Sequence, residues 1–169
     1  MKRLIVILFL SGFLIPFANA YDIYPVGGLF KAVFPNEPAF AFSTDEGAHS
    51  VQGYRSVDED KELQFLASFT DGKKYSNTSG LALDSLVKGL ALSQSGHVTE
   101  FKNIIHKGYD SAIFSIQILA REYPQNWNGI CALKEGQHLC WIVVDFIGVS
   151  AVNGKRIFNS YLDHFTVLD

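Results

Sequence analysis

The hydrophobic pattern of this chain changes period along its length, and this change constrains the fold more than any other feature. Apolar residues alternate with polar ones over residues 63–70, which is typical of a half-buried strand. Over residues 81–94 they recur at the helical period instead, which predicts an amphipathic helix. The helical stripe consists of Leu83, Leu86, Val87, Leu90 and Ala91. Such a chain is expected to combine a sheet with a helix that covers one of its faces.

The rest of the chain repeats this arrangement. Further strands are predicted at 29–34, 39–43, 49–57, 97–105, 109–121 and, folded as a hairpin, 129–147, with a loop at 123–126. A second helix is predicted near the C-terminus, with Asn153 as its N-cap and an apolar stripe that runs to Phe165. Polar turns between most strands favour antiparallel pairing. The predicted fold class is α+β, with an antiparallel sheet of about six to eight strands covered by two amphipathic helices.

The first twenty residues have the pattern of an export signal. Lys2 and Arg3 supply positive charge, residues 4–17 are almost wholly apolar, and residues 18–20 (Ala-Asn-Ala) fit a small-x-small cleavage site. The apolar run is shorter than the roughly 20 residues that a membrane-spanning helix needs. Cleavage is therefore predicted to leave a single domain over 21–169, with no transmembrane span, in the periplasm or secreted.

Charge narrows the class of partner. The chain carries 14 Lys and Arg against 17 Asp and Glu, and loss of the two basic residues of the leader makes the domain more acidic. A mildly acidic surface argues against nucleic acid and anionic membranes as partners. We therefore expect the partner to be a protein or another envelope component.

The two cysteines, Cys131 and Cys140, flank a predicted two-residue turn between Lys134 and Gln137. Pairing Lys134 with Gln137 places the cysteines opposite each other at a non-hydrogen-bonded position, where side chains are closest. Outside the cytoplasm such a pair is expected to form a disulfide. Two buried free thiols are the alternative.

Several short segments resemble the PsbP/Mog1-like superfamily. They are Gly28-Leu29-Phe30, the Phe-Pro-x-x-Pro stretch at 34–38, Tyr54 on the third predicted strand, and Phe158-Asn159-Ser160-Tyr161 on the last helix. The resemblance covers most of residues 27–167 in element order and extends to small exported bacterial members of unknown function. It implies an antiparallel sheet sandwiched by helices, in an α/β/α-type arrangement. It implies no particular activity, because members of that fold bind quite different partners, and no functional residue is carried over.

One acidic residue interrupts an otherwise apolar predicted strand. Asp145 lies within residues 141–147, on the same face as Trp141 and Val143. A buried carboxylate is costly unless it is paired or hydrogen-bonded. Two interpretations stay open: an acid held in a cleft with a raised pKa, or a structural Asp whose face is solvated or that bonds to Arg121 or to a helix terminus.

Three aromatic residues, Tyr109, Tyr123 and Trp127, are candidates for an exposed binding surface, because Tyr and Trp are favoured at recognition sites. The alternative for each is partial burial with its polar tip in water.

No metal site, cofactor or catalytic constellation is predicted. Asp110 and Ser111 form the most suggestive nucleophile cluster, but no Gly-x-Ser-x-Gly elbow accompanies them. The histidines match no known ligand spacing. They are His49, His97, His106, His138 and His164.

The function expected from the sequence is an exported, non-enzymatic domain that binds a protein or an envelope component. One alternative is a secreted or periplasmic hydrolase that uses a carboxylate such as Asp145 or Asp110. The other is a small-ligand carrier, which would hold its ligand between the sheet and a helix.

Overall fold

The computed structural model describes residues 21–45, 50–71 and 79–169, so the predicted leader and His49 lie outside the described residues. Within these ranges the strands are β1 (Asp22–Val26), β2 (Phe30–Phe34), β3 (Ala39–Asp45), β4 (Ser50–Asp58), β5 (Leu63–Asp71), β6 (His97–His106), β7 (Tyr109–Ile118), β8 (Gln125–Lys134), β9 (Gln137–Phe146) and β10 (Thr166–Val167). The helices are α1 (Ser79–Ser93) and α2 (Gly154–Tyr161), and a 3₁₀ turn spans Leu162–His164.

The strands form two sheets, and every strand pair among the described residues is antiparallel. The larger sheet has the order β3-β4-β5-β9-β8-β7-β6, and the smaller one has the order β1-β2-β10. The α+β class and the antiparallel sheet are therefore confirmed. The smaller sheet's outer strands were not predicted, because Pro25 interrupts the apolar pattern of β1 and because β10 has two residues.

The core consists of two layers, one on each face of the seven-stranded sheet. On one face α1 packs against β6, β7 and β8, and buries Leu83 and Val87 near Phe114. On the other face α2 packs against β8 and β9, and the three-stranded sheet contributes to the same layer. Trp141 lies at the centre of this second layer, with its ring 5.4 Å from that of Phe158. The second face is thus closed by a helix together with a small sheet, rather than by a helix alone.

The β8–β9 hairpin has the predicted register. Lys134 pairs with Gln137 and Cys131 with Cys140, whose Cα atoms are 4.1 Å apart. The two residues of the turn have positive φ values of 48° and 81°, as a two-residue hairpin turn of this kind requires. The predicted disulfide is confirmed.

Strand β8 begins at Gln125, so the predicted loop at 123–126 is wrong in its second half. Residues such as Asn126 and Asn128 are typical of turns, and they misled the prediction. In the structure both pair with β7 and β9, and their side chains bond to Asp145 on the neighbouring strand. A polar partner on the sheet surface therefore allows asparagine in a central strand.

The last helix begins where predicted. The side chain of Asn153 accepts a hydrogen bond from the backbone N–H of Arg156 at 3.1 Å, which caps α2. The helix ends at Tyr161, earlier than the apolar stripe suggested, and Phe165 lies beyond the 3₁₀ turn. Phe165 is nevertheless fully buried. In the part of the chain that the structure describes, no helix combines the length and apolar character needed to cross a membrane.

Candidate functional site

An open groove lies between α1 and the part of the sheet that α1 leaves uncovered. Among the described residues, α1 packs against β6, β7 and β8 and leaves the same face of β3, β4 and β5 uncovered beside it. The groove has a volume of about 450 Å³, which is typical of small-ligand sites. Its apolar walls include Phe42 of β3, Val51 of β4, Leu86 and Leu90 of α1, and Cys140 and Ile142 of β9.

The helical period decides which residues of α1 reach the groove. Leu83 and Val87 are fully buried against the sheet, whereas Leu86, Gly89 and Leu90 lie on the adjoining side of the helix and line the groove. On the sheet side, Cys140 faces the groove because it alternates with the core residues Leu139 and Trp141. The disulfide therefore lies beneath the groove.

Gly89 opens the middle of the helical wall. A Cβ atom placed on Gly89 would have no heavy atom within 4 Å among the described residues. Glycine in a helix interior costs about 1 kcal/mol relative to alanine, and no close packing explains it at this position. Glycine is used where a backbone lies close to a ligand. The space available to a ligand thus extends to the backbone of α1.

Phe42 forms the opposite wall of the groove. Its ring lies over Gly53 of β4, where a Cβ would approach a ring carbon to 2.1 Å. Glycine at position 53 is therefore what allows the Phe42 ring to lie flat on the sheet. Phe42 is 46% exposed, so its ring is available for contact with an occupant of the groove.

The groove offers few polar atoms. Ser68, Thr70 and Ser85 contribute hydroxyl groups and His138 an imidazole ring, and none of the lining residues is Asp, Glu, Lys or Arg. A lining of this kind suits the apolar body of a ligand, because a charge buried in it would be left without a compensating partner.

A second, polar cavity of about 180 Å³ lies at the N-terminal end of α2, and Asp145 lines it. The Asp145 carboxylate accepts hydrogen bonds from the amide Nδ2 of Asn126 at 3.0 Å and of Asn128 at 3.5 Å, and from the backbone N–H of Gly154. A Cβ on Gly154 would lie 2.6 Å from a carboxylate oxygen, so glycine is needed for this approach. Asp145 thus ties β8 and β9 to the first turn of α2.

These contacts favour a structural role for Asp145. Burial raises the pKa of Asp145, and hydrogen bonds from Asn126 and from the Gly154 N–H partly offset this effect. Its hydrogen-bond partners within the described ranges are amide groups, with neither a serine nor a histidine among them. The bond to a helix terminus is present, whereas Arg121 bonds to Gln125 instead. Ser115 and Lys155 line the same cavity, but the Ser115 hydroxyl donates to the Asn128 side chain at 3.0 Å and Lys155 pairs with Glu100. The hydrolase alternative requires a nucleophile or base bonded to the Asp145 carboxylate itself.

The pH dependence of stability tests this description of Asp145. Its raised pKa means that the folded protein retains a proton that the unfolded chain releases, so stability falls as pH rises from about 4 through the folded-state pKa. We expect the variant Asp145→Asn to lose this fall when urea unfolding is measured from about pH 4 to about pH 7. Identical pH profiles for the variant and the wild type would contradict the prediction.

Asp58 is the matched control, because its shift has the opposite sign. Burial raises the pKa of Asp58, but hydrogen bonds from Lys61 and from the Tyr21 hydroxyl, which lies 2.7 Å away, outweigh this and lower it. Its stabilising contribution is therefore present above about pH 4 and is lost as pH falls through the folded-state pKa. Asp58→Asn should alter the acid side of the profile and leave the fall above about pH 4 in place.

The three aromatic candidates are not brought together as an exposed surface. Trp127 is 8% exposed and donates a hydrogen bond from Nε1 to the side chain of Gln125 at 2.8 Å. It is buried because its position in β8 faces the core layer beneath α1. Tyr109 is partly buried, with its hydroxyl 3.3 Å from the Asp169 carboxylate, and Tyr123 is 55% exposed.

In the described part of the chain, the serine and histidine side chains considered as catalytic or metal-binding candidates do not come together in one site. Ser111 is 1% exposed and donates its hydroxyl to the backbone carbonyl of Tyr109 at 3.0 Å. His106 contacts the backbone carbonyl of Phe165 at 3.0 Å. Among the residues with described positions, no three His, Cys, Asp or Glu side chains are grouped so that they could hold a metal ion.

The groove residues were not singled out in the sequence. Two weak signals were available: Gly89 interrupts an otherwise good helix-forming stretch, and Phe40-Ala41-Phe42 places two large rings on a short predicted strand. Neither signal identifies the other wall of a groove, because the walls are distant in sequence.

Known proteins resemble this chain only distantly. No protein-family model matches the chain, and no curated protein matches it significantly. Among solved structures, it is similar to a Pseudomonas aeruginosa protein of unknown function, with a TM-score of 0.41 and 9% sequence identity. That match covers 73% of this chain and 81% of the other chain. Similarity at this level transfers neither a family nor a function.

Proposed function

We propose that this protein is an exported, non-enzymatic binding domain whose groove between α1 and the sheet holds the apolar body of a small ligand. The observation that carries the proposal is the largely apolar groove of about 450 Å³, whose lining contains no Asp, Glu, Lys or Arg and which is open down to the helix backbone at Gly89. Export to the periplasm or beyond is supported by the leader-like first twenty residues and by the disulfide between Cys131 and Cys140.

The groove favours the small-ligand carrier over the other functions that the sequence suggested. A carrier requires an apolar site between the sheet and a helix, and the groove has this position and lining. Binding of a protein or envelope component has less support, because Trp127 is buried and Tyr109 is partly buried, so they do not form one exposed surface with Tyr123.

Membership of the PsbP/Mog1-like superfamily belongs to the same proposal. It is supported by the Phe-Pro-x-x-Pro segment at 34–38, which follows β2, and by an antiparallel sheet with helices packed on both faces.

Binding of a neutral apolar fluorophore tests the groove. We expect N-phenyl-1-naphthylamine to bind the wild-type protein with an increase in fluorescence. Gly89→Trp should weaken this binding by at least about tenfold, because the indole would occupy the open space above α1. Circular dichroism would show whether the variant keeps its fold and thermal transition.

The matched control is Gly89→Ala, which adds one methyl group to the same position. It should retain probe binding and raise the free energy of unfolding by about 0.5–1 kcal/mol, because alanine is the better helix former and its Cβ meets no neighbour. Unchanged probe affinity in a folded Gly89→Trp protein would overturn the proposed site.

A further inference from the structure

A positively charged residue, Arg55, lies on the groove face of the sheet, just outside the residues that line the groove. Arg55 of β4 pairs with Leu66 of β5, and Leu66 pairs with Ile142 of β9, so the three residues form one row across the sheet. Paired residues of antiparallel strands point to the same face, and Ile142 lines the groove. With strands about 4.8 Å apart, the Cα of Arg55 is about 10 Å from that of Ile142, and Leu66 lies between them.

Arg55 also borders the Phe42 wall. It is the next residue after Gly53 on this face of β4, and the Phe42 ring covers Gly53. A ligand that contacts the Phe42 ring can therefore place its end beside the Arg55 guanidinium.

Among the residues that the structure describes, no acidic side chain forms an ion pair with Arg55. The two flanking rows of the sheet are Gly53–Ser68–Cys140 and Val57–Gln64–Val144, all of them uncharged. Arg55 is exposed and takes part in none of the ion pairs found among the described residues. Those pairs are Lys61–Asp58, Lys88–Asp84 and Lys155–Glu100.

We infer that the ligand is an amphiphile with an unbranched apolar tail and a single carboxylate, with the tail in the groove and the carboxylate on Arg55. The inference rests on the proposed function and adds the chemical class of the ligand. One isolated guanidinium matches one carboxylate in charge, and its planar fork can donate two parallel hydrogen bonds to the two oxygens. The largely apolar lining, which contains no Asp, Glu, Lys or Arg, accepts the tail, and the guanidinium outside it attracts the carboxylate; together they set the direction in which the ligand lies.

The test compares two probes of equal chain length, dodecanoate and dodecanol, by titration calorimetry below their aggregation limits. Wild-type protein should bind dodecanoate about three- to tenfold more tightly than dodecanol. Raising the salt from about 0.05 M to about 0.5 M should reduce this preference, because an exposed ion pair is screened. Arg55→Gln should remove the preference and leave dodecanol affinity unchanged.

Arg156→Gln is the matched control, since Arg156 is an exposed arginine on α2, on the other side of the sheet. It should keep the wild-type preference for dodecanoate. Equal affinity of wild-type protein for the two probes, or a preference that survives Arg55→Gln, would overturn the carboxylate assignment while leaving the groove in place. Failure of both probes to bind would overturn the proposed function and this inference with it.

Discussion

Replacing Trp141 with alanine is expected to lower the free energy of unfolding by about 3–5 kcal/mol. Trp141 is fully buried in β9, the strand at the centre of the larger sheet. Its Nε1 donates a hydrogen bond to the backbone carbonyl of Val33 at 3.0 Å, which links the larger sheet to the smaller one. Truncation would open a large cavity and leave that carbonyl without its partner, so the loss of packing and the loss of the hydrogen bond add.

Urea denaturation followed by circular dichroism measures this effect without relying on tryptophan fluorescence. Leu92→Ala is the control, because Leu92 is 77% exposed on α1 and its truncation should change stability by less than about 0.5 kcal/mol. A loss below about 1.5 kcal/mol for Trp141→Ala would show that the two sheets do not depend on this side chain.

Removing the disulfide is the second large change. The double variant Cys131→Ala/Cys140→Ala should lose about 2–3 kcal/mol, because the unfolded chain gains the freedom of a loop of about ten residues. The disulfide also lies in the core layer beneath α1, where Cys131 is fully buried, so each alanine leaves a small void.

Thermal denaturation of wild-type protein with and without a reductant provides the comparison for the disulfide. Reduced wild-type protein should unfold at a lower temperature than oxidised protein, and the double variant should not respond to the reductant. Equal stability of the oxidised and reduced wild-type proteins would contradict the prediction. The same samples should show weaker binding of the neutral fluorophore, because Cys140 forms part of the groove wall.

Features set by neighbouring residues could be predicted from the sequence. The register of the β8–β9 hairpin follows from a two-residue turn, because each step away from the turn determines the next pair. The helix α1 follows from one apolar stripe, and the cap of α2 follows from Asn153. Each of these three features depends on at most about fifteen consecutive residues. Over so short a segment, local hydrogen-bond geometry limits the conformations that the backbone can adopt.

Features set by distant residues could not be predicted in this way. The sequence left both exposure and partial burial open for Trp127, and the pairing of β8 between β7 and β9 turns its ring toward α1. Asp145 left two interpretations open in the sequence, and only the fold shows its partners from β8 and α2 and the cavity that it lines. In both cases the environment of the side chain depends on the order of the strands in the sheet. The spacing of apolar residues predicts the type of each element but not this order.

The sequence by itself determined the kinds of element, the antiparallel α+β class and the cysteine pair, because these depend on local period and turn chemistry. Tertiary structure alone decided which strands α1 packs against, and therefore which strands have a face that α1 does not cover. The groove joins Phe42, Leu86 and Ile142, which are far apart along the chain and meet because β9 lies between β5 and β8 in the sheet. A binding surface formed by such contacts exists only once non-local pairing has placed its walls opposite each other.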